Sequence, residues 1–346
     1  MVLAAAGSSL PTTSASAFPA ASPSKQLGFN SYVQDLCQST TTWAGDASGQ
    51  FKELKSLGAN SVALAFPIYM SSITSSALFA RRTCGTIYET PSTARLGVVI
   101  SEAHALGLTV FLRPLVQELQ LAQSPSGSWV GHIRPKNVGA WFKSYLAVLS
   151  PYLKLAQQLK VEHFAISTEL DSLVKKPNWA SLISSAKRYY KGQLVFTVPW
   201  GPGQATHAGT SPGLDAYQGV LANDAATPSQ LLADWNNAAA KTDRLPFPLS
   251  AASLDEVAIV AQDGAYATPW VYSLPLTSHP FNQSIQANWY SMACRFFKTH
   301  NMQGIYFWGI WYANGANAVL TTPGPSQTQE IQPESAAVIK ECYTGT

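Results

Sequence analysis

Charge is what this chain has least of. Charged residues fill 12% of its 346 positions, about half the roughly 25% usual in soluble proteins. Its 22 basic and 19 acidic residues leave a net charge of +3, with no run of Lys or Arg. A nucleic-acid surface needs a concentrated basic stripe, so no nucleic-acid partner is expected. No stretch reaches about 18 uninterrupted apolar residues, so no membrane span is expected either. Cysteine is scarce: Cys37, Cys84, Cys294 and Cys342 are all there is, and none forms a C-x-x-C pair. That excludes zinc ribbons and thioredoxin-type redox motifs. The six histidines lack H-x-H or H-x-x-x-H spacing, so neither a metal nor another cofactor is expected.

What the chain does have is apolar mass. Hydrophobic residues make up 46%, enough for a large core and too much for a disordered chain. Only residues 1–26 stand apart, being Ala, Ser, Thr and Pro with almost no charge. Ser14-Ala15-Ser16-Ala17 has the small residues of a cleavage site, so this segment reads as the tail of a signal peptide plus a linker. A disordered Ala/Ser leader of a cytosolic protein is the other reading. Low charge with abundant Ser, Thr and Trp favours a secreted protein, and nothing suggests more than a monomer.

From Leu27 to the end the pattern is that of one domain, residues 27–346. Short apolar runs lie at Leu27–Val33, Asn60–Tyr69, Thr109–Leu115, Glu162–Thr168, Leu194–Trp200, Gly213–Val220, Ser253–Val260 and Gly304–Trp311. Rich in β-branched and aromatic residues, they read as strands buried on both faces. Amphipathic helices are expected at Phe51–Leu57, Pro91–Leu106, Val138–Leu159, Trp179–Tyr190, Pro228–Thr242, Ile285–His300 and Ser335–Tyr343. Gly201–Pro212, rich in Gly, Pro and Thr, reads as a loop.

Eight such units predict an α/β fold, a single (β/α)8 TIM barrel. A doubly wound open sheet would need a Gly-rich phosphate turn after its first strand. The sequence there is Gly28-Phe29-Asn30-Ser31-Tyr32-Val33. In a barrel, Cys37 and Cys84 follow the first two strands, while Cys294 and Cys342 fall in neighbouring final helices. The expected disulfides are therefore Cys37–Cys84 and Cys294–Cys342, with free buried thiols the alternative for a cytosolic protein.

Active sites of barrels sit where the strands end. Glu169 closes the fourth strand, and Glu256 lies within the seventh. A charge inside an apolar run is costly to bury unless it is paired or used. Either residue alone could be half of a structural ion pair, for instance with Arg113. Together they favour chemistry, and the chemistry served by two carboxyls is glycoside hydrolysis. One carboxyl, kept protonated, protonates the leaving oxygen; the other attacks the anomeric carbon, the pair being about 5–5.5 Å apart in retaining enzymes.

The chain resembles the clan A glycoside hydrolases, and among them family 113, whose characterised members are β-mannanases. The resemblance is carried by Ser61-Val62-Ala63-Leu64, Arg113-Pro114-Leu115, Trp141-Phe142-Lys143-Ser144-Tyr145 and Ser167-Thr168-Glu169-Leu170. It continues in Trp200, Leu214-Asp215-Ala216-Tyr217, Glu256-Val257-Ala258-Ile259 and Gly304-Ile305-Tyr306-Phe307-Trp308, over about residues 27 to 320. It implies that Glu169 is the general acid/base and Glu256 the nucleophile of a double displacement. It also implies that Trp308 floors the −1 subsite, since sugar faces stack on indole rings. Arg113 and Tyr217 would line the same pocket, Arg113 orienting a carboxylate through its planar fork, and Trp200 would form a wall.

Two departures stand out. Thr168 occupies the position where clan A enzymes commonly carry the Asn that bonds the sugar 2-hydroxyl. Asp255 adjoins Glu256, and alternation along a strand lets only one of the two face the site; a one-residue slip would make it Asp255.

Glu118 is a candidate sugar contact or a solvated loop carboxylate. Trp43, Trp129, Trp270 and Trp311 fall at the expected rim, where together they suggest a groove for a polymer and singly suggest packing. Trp141, Trp179, Trp235 and Trp289 have the spacing of core residues. His132 is a candidate subsite residue, and His163 points to the barrel bottom as a structural group. The expected activity is a retaining endo-β-glycosidase on a polysaccharide or oligosaccharide, with β-1,4-mannan the leading substrate. The alternatives are the same chemistry on another envelope or plant glycan, or a non-catalytic carbohydrate-binding barrel.

Overall fold

The computed structural model of the chain describes residues 25–33, 39–82, 89–118, 129–241, 245–311, 324 and 329–345. Among the described residues, nine strands form one sheet: β1 (Gln26–Tyr32), β2 (Ser61–Met70), β3 (Leu78–Phe79), β4 (Thr109–Glu118), β5 (His163–Thr168), β6 (Gln193–Pro199), β7 (Ser211–Asp215), β8 (Ser253–Val257) and β9 (Gly304–Trp311). Strand β3 is a two-residue antiparallel appendage of β2 that the sequence pattern does not announce. The other eight are parallel to their neighbours in chain order, and β9 pairs back onto β1. The sheet is therefore closed, as the eight-unit pattern predicts.

Seven α-helices among the described residues surround it: α1 (Thr40–Ser56), α2 (Thr93–Ala105), α3 (Val138–Gln158), α4 (Asn178–Tyr189), α5 (Pro228–Lys241), α6 (Gln283–Thr299) and α7 (Pro333–Thr344). The connection from β6 to β7 is irregular, as its Gly/Pro composition predicts. Helix α1 starts well before the expected Phe51. Its first half, rich in Thr and Gly, has weak helix propensity, but the Ser39 side chain caps it by accepting from the Thr42 N–H at 3.1 Å. Trp43, Ala47, Phe51 and Leu54 then lie on one buried stripe. Trp43, expected at the rim, is thus 1% exposed in the helix–sheet layer. Trp141, Trp179, Trp235 and Trp289 are fully buried core residues.

Cys294 and Cys342 join α6 to α7 in the expected disulfide, with Cα atoms 5.9 Å apart. The expected Cys37–Cys84 pair lies outside the described residues. Among the described residues no helix is long and apolar enough to cross a membrane.

Inside the barrel, side chains stack in layers, as alternating inward positions require. Ala63, Phe111, Ala165, Val195 and Tyr306 fill the lower part. At that end the His163 ring meets the Gln26 side chain at 3.0 Å, and burial pushes its pKa down to about 4. Tyr32, Ala65, Ala258 and Trp308 cluster near the top, flanked by Leu115 and Tyr217. The space between those two layers is filled by charge.

Candidate active site

Arg113 stands on β4 two residues above Phe111 and two below Leu115, so alternation aims it at the barrel axis. It is 0% exposed. Its Nη1 donates to Asn30 Oδ1 at 2.6 Å, to the Asp255 carbonyl at 3.0 Å and to Glu256 Oε2 at 2.9 Å. Its Nη2 donates to Asp215 Oδ1 at 2.7 Å. Burial lowers the pKa of the guanidinium, but Asp215, Glu256 and Asp255 more than offset that and raise it. One fixed positive charge thus organises the centre of the barrel.

Strand β8 presents both of its acids to this charge. The register of β8 shifts by one residue against β7, between Leu214 and Asp215, and again against β9. Such a bulge leaves one residue unpaired and breaks the alternation locally. Asp255 Oδ1 accepts from the Ser253 hydroxyl and Oδ2 from the Thr197 hydroxyl, both at 2.5 Å. Glu256 lies above, accepting from Arg113 on Oε2 and from the Tyr217 hydroxyl on Oε1. The expectation that only one of the pair faces inward is corrected here: the bulge lets both do so. Burial pushes Asp255 up to about 6 and Asp215 well above the usual carboxylate range, in each case against the pull of Arg113.

The bulge depends on Gly213 opposite it. A Cβ there would lie 1.8 Å from Asp255 Oδ2 and 2.8 Å from the Thr197 hydroxyl. Gly213→Ala is therefore expected to lower unfolding free energy by about 1–3 kcal/mol through overpacking and to reduce activity by displacing the Asp255–Glu256 backbone. Urea denaturation alongside kinetics checks both effects.

Glu169 faces this group from β5. Its φ of 53° puts a non-glycine residue in the left-handed region, a conformation costing about 1–3 kcal/mol that clusters at functional sites. Burial, then the charge of Glu256, push its carboxyl up to about 8, with Arg113 opposing and Asp171 adding to the rise. Thr168, 5% exposed, precedes it. It pairs with the inward Thr197 across a register shift in β5, and its hydroxyl oxygen is buried without a partner among the described residues. Trp308 is 3% exposed and meets Tyr32 edge-on, with ring centroids 5.8 Å apart. Arg113, Thr168, Glu169, Tyr217, Glu256 and Trp308 thus share the upper end of one barrel interior.

Trp200 does not join them. Its ring lies 5.0 Å from that of Trp235 and 5.3 Å from that of Phe296, outside the sheet among the helices. Thr197 faces inward on the same strand, and alternation sends the residue three places on to the other side. The side chains of Glu118 and Trp311, each the last residue of its strand, lie outside the described residues. Trp129 donates its indole N–H to His132 at 3.3 Å. The charge of His132 also draws down Asp171, which burial raises, so this loop borders the Glu169 side of the site.

Two functional neighbours, Asn30 and Asp215, escape the sequence reading. Asp215 carries the same signal as the two glutamates, an acid at the end of an apolar strand. Asn30 has a weaker one, an amide between Phe29 and Ser31 in the first strand. Among the described residues no group of three or more His, Cys, Asp or Glu is arranged to hold a metal ion.

Chemically, the arrangement offers one carboxyl that holds its proton near neutrality and one carboxylate clamped by Arg and Tyr. The model of Glycoside Hydrolase Family 113 matches residues 35–319 of the chain. The chain belongs to Glycoside Hydrolase Family 113. It is accordingly a glycoside hydrolase, and its substrate is a carbohydrate. No curated protein matches it significantly in sequence. Among solved structures, the family 113 β-mannanase AaManA from Alicyclobacillus acidocaldarius, in complex with ManMIm, is similar at 19% identity with a TM-score of 0.71. That match covers 94% of this chain and 98% of the other. A family 113 β-1,4-mannanase is similar at 16% identity and TM-score 0.71, covering 93% and 99%. The β-glucuronidase of Ruminococcus gnavus shares the fold at 12% identity and TM-score 0.54, covering 94% of this chain and 50% of that one.

Proposed function

We propose that this family 113 enzyme cleaves β-1,4-mannan internally, by double displacement with retention, and that Glu169 and Glu256 carry the chemistry. The observation that carries the reading is the contrast in surroundings of the two groups: burial and the neighbouring Glu256 push Glu169 up to about 8, while Glu256 accepts hydrogen bonds from Arg113 and Tyr217. Pairs of acids whose environments differ in this way mark the acid and the nucleophile.

In the first step the protonated Glu169 gives its proton to the glycosidic oxygen as the bond from C1 to that oxygen breaks. A Glu256 oxygen attacks C1 and forms a glycosyl ester. The ester carries no charge, so the part of the rise in Glu169 that came from Glu256 disappears and its carboxylate forms more easily, although burial still opposes it. It then takes a proton from water, the water oxygen attacks C1, and Glu256 leaves as a carboxylate. Two displacements at one carbon return the β configuration. Arg113 keeps the leaving Glu256 charge stable, and Trp308 offers an apolar face to the sugar. Thr168, whose buried hydroxyl is unpartnered among the described residues, is the group we assign to the sugar 2-hydroxyl. A polymeric substrate and the Cys294–Cys342 bridge both suit a secreted enzyme.

The acid must be protonated to act, so kcat/KM is expected to fall as pH rises through about 8. In Glu169→Gln that alkaline limb should vanish with most of the activity. Measured kcat/KM between pH 5 and 10, a range chosen to span about three units below and two above the limb, checks this. Substrate is tested by reducing-sugar release from β-mannan, β-glucan and β-galactan. Release from mannan alone is expected, and release from another polymer with mannan untouched would overturn the substrate assignment.

A further inference from the structure

The segment that follows β8 holds two large aromatic rings out in solvent. Trp270 is 53% exposed and Tyr272 52%, with Leu276 beside them at 37%. Aromatic side chains are normally driven inward by the apolar area they bury, and a floppy loop would turn them in. This loop is not free to do so. Gln262, 0% exposed, donates to the carbonyls of Leu274 and His279 at 2.8 and 3.0 Å and accepts from the Leu274 N–H at 3.0 Å. Gln329, 2% exposed, donates to the carbonyls of Pro269 and Val271 at 2.9 and 3.3 Å. Two buried amides therefore pin the backbone on both sides of the rings, and Val271 and Leu274 pack on the core between them.

The pinned loop also abuts the catalytic wall. A Cβ on Gly219 would lie 2.4 Å from the Ala267 carbonyl and 3.4 Å from the Pro269 ring, and the Val220 N–H donates to the Tyr266 carbonyl at 2.8 Å. The segment leading from Tyr217 is thus sealed against the one leading to Trp270. Consistently, Tyr272 is near enough to Tyr217 for their charges to interact, and Tyr217 donates to Glu256.

We infer that Trp270 and Tyr272 form a stacking platform for a pyranose unit of the substrate chain beyond the cleaved bond, making this enzyme selective for longer chains. The ligand is a β-linked sugar chain, because its alternating C–H faces fit exposed indole and phenol rings, and the segment 264–278 that carries them has no charged residue to select a charged ligand. The inference rests on the polysaccharide reading given above. It adds a second binding position that lies outside the acid pair.

The test is the chain-length dependence of cleavage. The ratio of kcat/KM on mannohexaose to that on an aryl β-mannoside is measured for the wild type, Trp270→Ala, Tyr272→Ala and Trp270→Phe. Each alanine variant is expected to lower the ratio by about 2- to 10-fold, the effect of losing one stacking contact. Trp270→Phe should restore most of it. An unchanged ratio in variants of a wild type that cuts the hexaose would overturn the platform and leave the mannan reading standing. Failure of the wild type to cut any mannan oligosaccharide would overturn the mannan reading and the ligand named here with it. A rise in mass with concentration, lost in both variants, would assign the rings to contact with a second copy of the chain and overturn the inference.

Discussion

Glu256→Gln is expected to abolish turnover, lowering kcat by roughly 10⁴-fold or more, as loss of a nucleophile does. The amide keeps the shape and can still meet the Tyr217 and Arg113 sides of its slot, but it cannot form the glycosyl ester. Glu169→Gln should cost less, about 10²- to 10⁴-fold on mannan, and its loss should depend on the leaving group. An aryl glycoside whose phenol leaves without help should keep a fast first step and stall at the ester, giving a burst of phenol. Small anions separate the two roles further. Azide has no proton to lose, so it should speed breakdown of the ester in Glu169→Ala and give the β-glycosyl azide. In Glu256→Ala it should attack C1 in place of the missing carboxylate and give the α-azide. Equal losses in both variants on the aryl substrate, with no burst, would contradict the assignment.

Arg113→Met is expected to harm folding and catalysis together. The guanidinium is fully buried and makes four hydrogen bonds, and two of its partners are carboxylates. Removing one partner of a buried pair typically costs about 3–5 kcal/mol, because the other charge is left uncompensated. Four carboxyls share this region, those of Glu169, Asp215, Asp255 and Glu256, and Arg113 is the cation that faces them. Without it the negative charge of Glu256 loses the cation hydrogen-bonded to its Oε2. The acid limb of kcat/KM should therefore move to higher pH, since the nucleophile works only when ionised. Arg113→Lys separates folding from geometry: it returns the charge but not the planar fork, so stability should recover more than kcat. Urea midpoints and pH profiles of both variants provide the check. A methionine variant with wild-type stability and an unmoved acid limb would show that the cluster does not work as described.

The barrel was legible because burial on both faces turns each strand into an apolar run, and eight such runs can be counted. Glu169, Glu256 and Arg113 were legible for the converse reason: a charge within such a run stands out. Asp215 carried the same signal within the sixth run. What the sequence hides is direction. Trp200 ends its strand, where site residues gather, but which face it takes depends on the parity set by Thr197, and that appears only once the register is known. The paired inward placement of Asp255 and Glu256 was hidden by the bulge, because a simple alternation rule has no room for an extra residue. Gly213 is its nearest trace in the sequence, a glycine in an otherwise ordinary strand. Trp43 lies in the core and not at the expected rim because the Thr/Gly-rich start of α1 conceals a helix that its Ser39 cap and buried stripe make stable. Trp270 and Tyr272 lie in a segment without periodicity, and it takes the buried glutamines beneath them to show that their exposure is built in.

The most direct measurement is the configuration of the first sugar released. Proton NMR of the anomeric signals, recorded as wild-type enzyme cuts a mannan oligosaccharide and before mutarotation, distinguishes the two outcomes. The β-anomer is expected to appear first and then equilibrate, as double displacement through Glu256 requires. First appearance of the α-anomer would mean a single displacement by water, and the roles assigned to Glu169 and Glu256 would be wrong.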